Sequence, residues 1–298
     1  MRISAVIAAH DAEPWIGEAI ESALRELPAD SELIVVDDGS TDATAAAVER
    51  WRGRAALLRN ETAQGPGFSR NLGARAATGA ILAFHDADDV VLPGRFTRQA
   101  ELLESNPGVD LVFGNGFKID EHGARLGPVI PRRYARRLAR RCGPAEMLIG
   151  GFVYPQALSV RRERFLALGG FVRERVEDWE FALRASLSLV MAFLDEPVFL
   201  YRRHSGSMTM KQHVYAEQML GMLERFVEKH PELAKLVPPG ELADARARRW
   251  VRAGKHRLKA GDRAGAEQAM RRAVALRPLS PYYRWRLLTL PRTRAAGT

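Results

Sequence analysis

The sequence contains two acidic segments, IVVDDGSTD from Ile34 to Asp42 and ILAFHDADDVVLP from Ile81 to Pro93. In each of them an apolar run ends in aspartates. Short apolar runs bounded by turn residues are typical of buried strands, and strands that are apolar throughout occur mainly in parallel sheets with both faces covered. Ligands of such sheets bind beyond the carboxyl ends of the strands, so the aspartates mark the predicted binding site.

Strands and helices alternate around these segments. The periodicity predicts strands over 3–9, 32–36, 55–59, 80–85 and 111–116, with helices at 15–27, 41–50, 67–78 and 93–106 between them. Two later strands, at 154–160 and 193–201, flank a helix around 178–186. Alternation of this kind requires crossover connections, so we predict an α/β fold with a mostly parallel sheet.

Carboxylates gathered at one edge of a sheet repel each other unless a cation or hydrogen-bond donors intervene. Oxygen ligands of this type suit Mg²⁺ or Mn²⁺, which in proteins often also bind a substrate diphosphate. Each cluster taken alone also fits a turn whose aspartates only cap helices. The metal interpretation therefore depends on the clusters acting together.

Composition and charge exclude several classes of protein. Cys142 is the single cysteine, which excludes an internal disulfide or a zinc site built on several thiolates, and we expect a cytoplasmic protein. The apolar segments at 3–9 and 187–194 are too short to span a bilayer. Residues 211–298 carry nineteen Lys and Arg against eight Asp and Glu, so the basic charge is concentrated there.

Three motifs occur in a characteristic order: VVDDGSTD at 35–42, SRNLG at 69–73 and DADDVVLP at 86–93. Together they resemble inverting family 2 glycosyltransferases of the GT-A fold, over about residues 3–205. The resemblance implies a nucleotide-binding, Rossmann-like sheet in residues 1–210, with a nucleotide-sugar half at 1–110 and an acceptor half at 111–210. Residues 211–298 would then form a basic helical C-terminal appendage.

The resemblance implies roles for residues in the donor half. Asp38 would contact the nucleobase, Arg70 would lie beside the base or diphosphate, and Asp88 would be the main metal ligand. Asp86 would support the ribose, or the metal through water. The complete set expected to bind the nucleotide sugar is Ala9, Glu13, Asp38, Arg70, Asp86, Ala87 and Arg202.

Two later motifs are similar to the acceptor-side motifs of the family. In EDWE at 177–180, Asp178 would be the base that deprotonates the acceptor hydroxyl, and Trp179 would either stack on a sugar or pack in the core. In YRRH at 201–204, His204 would reach the metal or diphosphate, and Arg202 would support it. The expected cofactor is Mn²⁺ or Mg²⁺.

The implied substrates are a nucleotide-sugar donor, with a UDP-sugar favoured over a GDP- or dTDP-sugar, and a glycan or lipid-linked acceptor. The first strand ends in Ala-Ala-His-Asp at 8–11, whereas the family has proline, a small residue, tyrosine and asparagine. This departure affects the expected contacts to the base.

Six arginines between Arg132 and Arg141 either form a solvated helix or bind a lipid-linked pyrophosphate or an anionic membrane, with Tyr134 and Leu138 adding apolar contact. The second function would place the protein peripherally at the inner face of the membrane.

The C-terminal region contains one unit that is spaced like a tetratricopeptide repeat, at Trp250, Gly254, Ala266, Ala273 and Pro278. A single unit cannot stack into a solenoid, so a packed helical hairpin and a partner-docking module both stay open.

Other functions fit less well. A dinucleotide-binding oxidoreductase would need a glycine where Arg70 stands, and a P-loop enzyme would need a Gly-Lys-Ser/Thr ending. The basic tail lacks zinc spacing and the known nucleic-acid-binding motifs, so no nucleic-acid partner is expected. A nucleotidyltransferase acting on a sugar phosphate shares the sheet and metal chemistry and is the closest alternative, although the glycine-rich basic loop expected after its first strand is missing.

Overall fold

The computed structural model describes residues 1–150, 152–173, 176–206 and 212–290. It divides into two compact units, Met1–Met147 with Gly151–His204 and Leu148–Gly150 with Ser205–Thr298. We call these the sheet unit and the helical unit. The domain boundary predicted at 210/211 lies outside the described residues.

The sheet unit contains a nine-stranded sheet in the order β3-β2-β1-β4-β8-β6-β9-β5, with β7 paired to β6. Its strands are β1 Ile3–Ala9, β2 Glu32–Asp37, β3 Ala56–Arg59, β4 Ile81–Asp86, β5 Val90–Val91, β6 Leu111–Ile119, β7 Arg125–Pro128, β8 Leu158–Arg161 and β9 Met191–Arg202. The predicted strands are confirmed except for the first half of the one at 154–160, where Pro155–Ala157 forms a 3₁₀ turn and β8 begins only at Leu158. The structure adds the short strands β5 and β7.

Strands β1 to β4 are parallel to one another, as predicted. The sheet as a whole is mixed, because β8 pairs antiparallel with both β4 and β6, and β5 and β7 are also antiparallel to their partners. The α/β fold is confirmed, while the later strands are less parallel than the alternation indicated. Central strand β1 lies between β2 and β4, and six of its seven residues are buried.

The helices of the sheet unit are α1 Glu13–Glu26, α2 Thr44–Glu49, α3 Pro66–Ala76, α4 Arg95–Ser105, α5 Arg132–Arg140, α7 Arg162–Ala167 and α8 Glu177–Ser188, together with the first four residues of α6 Pro144–Gly150. Asp42 precedes α2, and its carboxylate accepts hydrogen bonds from the Thr44 N–H at 2.9 Å and the Glu13 N–H at 3.1 Å. One aspartate therefore satisfies free N–H groups at the starts of both α1 and α2.

The helical unit contains α9 Gln212–Lys229, α10 Pro231–Ala234, α11 Pro239–Lys259, α12 Arg263–Leu276 and α13 Pro281–Leu288. Helices α11 and α12 pack closely at Gly254, where an added Cβ would lie 3.1 Å from the Ala266 carbonyl oxygen. Ala266 and Ala273 are fully buried, so the small residues of the repeat-like spacing lie at this helix–helix contact. No helix among the described residues has the length and apolarity needed to cross a membrane.

Candidate active site at the carboxyl ends of the strands

Asp38 lies directly after β2 and is 4% exposed. Its Oδ1 accepts hydrogen bonds from the Asn60 amide at 2.6 Å and the Gln64 N–H at 2.9 Å, and its Oδ2 accepts from the Gly65 N–H at 2.7 Å. A carboxylate has about four acceptor positions, so three of them are filled. The carboxylate is thereby fixed in orientation against the loop between β3 and α3.

The turn after Asp37 and Asp38 requires a glycine at position 39. Its φ is 66°, a left-handed conformation that favours glycine, and an added Cβ would lie 2.7 Å from the Thr62 carbonyl carbon. The loop from β3 therefore passes directly against the turn after β2. This close approach brings the Asn60 and Gln64 donors to Asp38.

The end of β1 lies beside this turn. The Ala9 carbonyl accepts a hydrogen bond from the Asp38 N–H at 2.7 Å, and the His10 Nδ1 lies 2.9 Å from the Asp38 carbonyl oxygen. Asp11, at φ 46°, accepts from the Thr41 N–H at 2.8 Å. His10 and Asp11, two of the three residues that depart from the family pattern, thus tie β1 to the β2 turn, and Glu13 follows as the exposed first residue of α1.

Arg70 bridges two carboxylates that are far apart in sequence. Its Nη2 donates to Asp86 Oδ1 at 2.7 Å and its Nη1 donates to Glu177 Oε1 at 2.8 Å, with 7% of the side chain exposed. The next residue, Asn71, exchanges two hydrogen bonds with the Phe171 backbone, at 2.7 and 2.9 Å. Helix α3 therefore holds both the turn after β4 and the segment that leads into α8.

Helix α8 begins after a strained residue. Val176 has a φ of 71°, and a β-branched side chain rarely adopts the left-handed conformation. Such outliers persist where surrounding contacts impose them, and they concentrate at functional sites. Here the contact between Glu177 and Arg70 fixes the first residue of the helix, and Asp178 follows directly.

Asp178 has the pKa expected of a general base. Burial, and next the charge of Glu177, raise the pKa of its carboxyl to about 7, although the Trp179 N–H and Arg70 oppose the shift. A base is most effective when its pKa is near the working pH. Trp179 itself is 1% exposed and its indole N–H donates to the Met147 carbonyl at 2.7 Å. Of the two roles left open for Trp179, the structure supports packing in the core.

The turn after β4 carries Asp86, Ala87, Asp88 and Asp89. Asp88 Oδ2 lies 3.0 Å from His204 Nε2, with 27% and 15% of the two side chains exposed, so the two predicted metal ligands are adjacent. Asp89 is 1% exposed and accepts from the Arg202 N–H at 2.8 Å. Ala87 is buried between them at 6% exposure.

These carboxylates carry excess negative charge. Burial and the neighbouring charges of Asp88 and Asp86 raise the pKa of Asp89 well above its ordinary value, and burial together with Asp88 raises that of Asp86. The buried Asp89 Oδ2 has no hydrogen-bond partner among the described residues. A bound cation would offset this charge, so the residues present fit a divalent metal.

No group of three or more His, Cys, Asp or Glu side chains is arranged for a metal ion within the described ranges. Mg²⁺ is commonly held by only one or two carboxylates, with substrate phosphates and water supplying the other ligands. Asp88 and His204 are therefore sufficient as protein ligands only if a substrate completes the site.

Arg202 holds the metal turn from β9. Its Nε donates to the Asp88 carbonyl at 3.1 Å, its Nη2 donates to Glu18 at 2.6 Å, and its guanidinium lies 4.6 Å from the centre of the Trp15 ring. Trp15 in turn lies 5.4 Å from the His204 ring. Arg202 is thus a positioning residue for Asp88 and His204, and the sequence did not indicate the part played by Trp15 and Glu18.

His85 and Arg95 are a second pair that sequence reasoning missed. Both are fully buried. The Nδ1 of His85 lies 3.1 Å from Arg95 Nη1, and its Nε2 lies 3.1 Å from the Asp89 carbonyl oxygen. Burial lowers the pKa of His85 to about 3, so the ring is neutral. Because Arg95 donates to Nδ1, the Nε2–H donates to the Asp89 carbonyl and stabilises the turn after β4. A histidine that ends an apolar strand gives no sequence signal for this role.

The arginine run forms α5, but Leu138 does not face solvent and Tyr134 is half-buried. Leu138 is 2% exposed, and the Tyr134 ring packs 4.9 Å from that of Phe152. The apolar membrane contact expected from Leu138 is therefore wrong, because this side chain belongs to the core. Arg137 pairs with the buried Glu146 at 3.0 Å, which leaves an exposed basic face formed by Arg132, Arg133, Arg136 and Arg140.

We expect Arg70→Met to lower the free energy of unfolding by about 3–5 kcal/mol, because it leaves Asp86 and Glu177 buried without their cation. Arg70→Lys should lower the free energy of unfolding by less than Arg70→Met does, because it keeps the positive charge, although a lysine cannot reach both carboxylates. Equilibrium unfolding in urea measures both. Arg75→Met, on the exposed side of the same helix, is the matched control. Equal stability of the Arg70→Met and Arg75→Met variants would contradict the bridging role.

Comparisons with known proteins agree with this geometry. The family model "Glycosyl transferase family 2" matches residues 4–166. An uncharacterized glycosyltransferase, EpsJ of Bacillus subtilis, is 31% identical over 70% of this chain and 62% of its own length. WfgD of Escherichia coli, named UDP-Glc:alpha-D-GlcNAc-diphosphoundecaprenol beta-1,3-glucosyltransferase, is 31% identical over 47% of this chain and 56% of its own length. The chain thus spans less than two thirds of the length of these relatives.

Two solved structures share the fold. S. aureus TarS 1-349 superposes with a TM-score of 0.61 and 19% identity, over 94% of this chain and 93% of that one. Mannosyltransferase PcManGT from Pyrobaculum calidifontis, solved with GDP-Man and Mn²⁺, gives 0.63 and 20% identity, over 97% and 84%. None of these similarities favours a nucleotidyltransferase. Since the family model covers more than half of the chain and the sheet carries the family's motifs at its carboxyl edge, the chain belongs to glycosyl transferase family 2, and its fold is GT-A with a helical C-terminal region.

Proposed function

We propose that this chain transfers a sugar from a nucleotide-diphosphate donor to a hydroxyl group of a glycan or lipid-linked acceptor, with metal dependence and inversion at the anomeric carbon. The proposal rests chiefly on Arg70, which connects the metal turn to the first residue of α8 through Asp86 and Glu177. This link fixes the donor side and the candidate base in one rigid arrangement. Such fixed geometry is what a single-displacement reaction needs.

The nucleoside would bind between Ala9, Glu13 and Asp38, with Ala87 and Asp86 on the ribose side. Asp38 has about one acceptor position left, which suits the single N3–H of uracil better than the paired donors of guanine. We therefore propose a UDP-sugar. TarS was solved in complex with UDP-GlcNAc and WfgD is named for UDP-Glc, which supports this choice, whereas the GDP-Man of PcManGT is the alternative.

Asp88 and His204 would hold Mn²⁺ or Mg²⁺ at the donor diphosphate. When bound, the metal offsets the negative charge that develops on the departing diphosphate. The imidazole of His204 favours Mn²⁺, because Mg²⁺ takes oxygen ligands almost exclusively. Arg202 and Trp15 keep the two ligands in place from the side of β9 and α1.

Asp178 would accept the proton of the acceptor hydroxyl. The oxygen of that hydroxyl attacks the anomeric carbon from the face opposite the diphosphate. The bond between the anomeric carbon and the diphosphate oxygen breaks, and its electron pair leaves with the diphosphate. General-base assistance of this type contributes roughly 10²- to 10⁴-fold in rate.

The exposed arginines of α5 would bind the phosphates of a lipid-linked acceptor. This use would place the protein at the inner face of the membrane.

A donor panel tests the proposal. We expect one UDP-sugar, with Mn²⁺, to raise the melting temperature more than GDP- or dTDP-sugars do, and to yield a glycosylated product of inverted configuration by NMR. Hydrolysis of the donor alone would not separate transfer from other chemistry, so the acceptor product must be identified. A product of retained configuration, or a nucleotidyl product, would contradict the proposed reaction.

A further inference from the structure

Helix α13 and the turn before it present large apolar side chains to solvent. Leu279 is 87% exposed, Tyr282 49%, Trp285 54% and Leu288 83%. The opposite side of the helix carries Tyr283, which is 3% exposed and packs in the core of the helical unit. Helix α13 is therefore apolar on both sides, and among the described residues only the Tyr283 side is covered.

Three of the four exposed residues share one side of α13. Tyr282, Trp285 and Leu288 follow one another at intervals of three along the helix, and Leu279 lies two residues before its start; we call these four residues the outer stripe. Ten large apolar residues are exposed among the described residues, and four of them lie in this one ten-residue stretch. Single exposed apolar residues are ordinary, but a contiguous patch marks an interaction surface.

The stretch of sequence that contains the outer stripe carries charge of one sign. After Glu267 the sequence contains seven arginines and no acidic residue. Arg286 lies over the rings of Tyr282 and Trp285, at 6.0 and 5.5 Å from their centres, and Arg284 on the same helix is exposed. An occupant of this surface must therefore be both apolar and negatively charged.

We infer that the outer stripe docks the helical unit on an anionic lipid surface. Tryptophan and tyrosine favour the level of the lipid headgroups, leucines bury in the acyl region, and arginines attract lipid phosphates. This inference deepens the proposed use of a lipid-linked acceptor and rests on the proposed function only for its biological purpose, since docking itself requires no sugar transfer.

Other occupants fit less well. The segment 291–298 has the sequence PRTRAAGT and contains no aromatic or large aliphatic residue that could cover four apolar side chains. A second copy of the chain would bring Arg284 and Arg286 of two outer stripes close together. Like charges facing each other oppose such an association.

Vesicle flotation of the full chain tests the inference. We expect the protein to float with phosphatidylglycerol-containing vesicles and to stay behind with pure phosphatidylcholine. Trp285→Ser with Leu288→Ser should weaken binding by at least about tenfold, because the two most protruding side chains of α13 itself are lost. Arg284→Gln with Arg286→Gln should weaken binding to anionic vesicles similarly. The matched control, Leu126→Ser with Val190→Ser, removes side chains that are 54% and 56% exposed in the sheet unit and should float like the wild type.

Equal flotation of the Trp285→Ser/Leu288→Ser variant and the wild type, or equal binding of the wild type to both kinds of vesicle, would overturn the inference. A wild-type dimer that this variant converts to a monomer, without vesicle binding, would instead assign the outer stripe to self-association. Stabilisation by UDP and Mn²⁺ should be unchanged in this variant. Failed docking with that stabilisation intact leaves the proposed function standing, whereas loss of nucleotide binding in a wild type that still floats counts against the proposed function alone.

Discussion

Replacing Asp178 with Asn is expected to lower the rate of sugar transfer by on the order of 10²- to 10⁴-fold while nucleotide binding is retained. The amide keeps the size of the side chain and can still accept a hydrogen bond from the Trp179 N–H, which lies 2.7 Å from Oδ1, so α8 should keep its start. Steady-state kinetics together with calorimetry of UDP binding separates the two effects. Glu180→Gln is the control, because Glu180 pairs with Arg184 at 2.6 Å on the same helix.

The pH dependence gives this prediction a second readout. Because burial and Glu177 raise the pKa of Asp178 to about 7, kcat/KM should fall as the pH drops below 7, where the base is protonated. The same shift means that the folded state holds this proton more tightly than the unfolded chain, in which the pKa is near 3.8. The stability contributed by the protonated carboxyl is therefore present at low pH and lost as the pH rises through 7.

Asp178→Asn should remove the loss of stability that deprotonation of Asp178 causes. The melting temperature of the variant should therefore exceed that of the wild type at pH 8 and not at pH 4. Groups facing Asp178 are Glu177, Arg70 and Asp86, and none of them is changed by this substitution. Undiminished transfer by the Asp178→Asn variant would exclude Asp178 as the base. An unchanged acid limb in its residual activity would point to another titrating group.

Asp88→Ala is expected to abolish the stabilisation that Mn²⁺ adds to UDP binding and to reduce transfer by on the order of 10³-fold, since electrostatic stabilisation of a leaving group is worth several kcal/mol. Arg202 holds Asp88 through its main-chain carbonyl, so the turn should persist without the carboxylate. Thermal melts with UDP, with and without Mn²⁺, measure the linkage.

Asp89→Asn is the matched control for the same turn. Asp89 accepts from the Arg202 N–H, a bond that the amide oxygen can keep, and it is not one of the two predicted metal ligands. We expect its Mn²⁺ linkage to survive. An Asp88→Ala variant that responds to Mn²⁺ as the wild type does would remove Asp88 from the metal site.

The first half of the fold could be predicted from the sequence because its signals are local. Strands β1, β2 and β4 are apolar runs, of which β2 and β4 end in Asp-rich turns, and the helices between them have clear periodicity. The later half could not be predicted to the same extent. Strand β5, Val90–Val91, has only two residues and no period, and its existence depends on pairing with β9.

The site shows the same division. Asp88 and His204 were expected together from a family resemblance, and the structure places them 3.0 Å apart. The bridge from Arg70 to Glu177 joins residues 107 positions apart, a pairing that no local pattern reports. The sequence of the arginine run predicts apolar contact from Tyr134 and Leu138 beside the basic charge, and only the burial of Leu138 reveals which residues of α5 face solvent.

Anomalous diffraction from a crystal grown with UDP and Mn²⁺ tests the metal site most directly. We predict a manganese peak bound to Asp88 and His204 and to the nucleotide diphosphate, with the base beside Asp38. A peak elsewhere, or a nucleotide bound with Asp38 and Asp88 facing different cavities, would contradict the proposed transfer reaction.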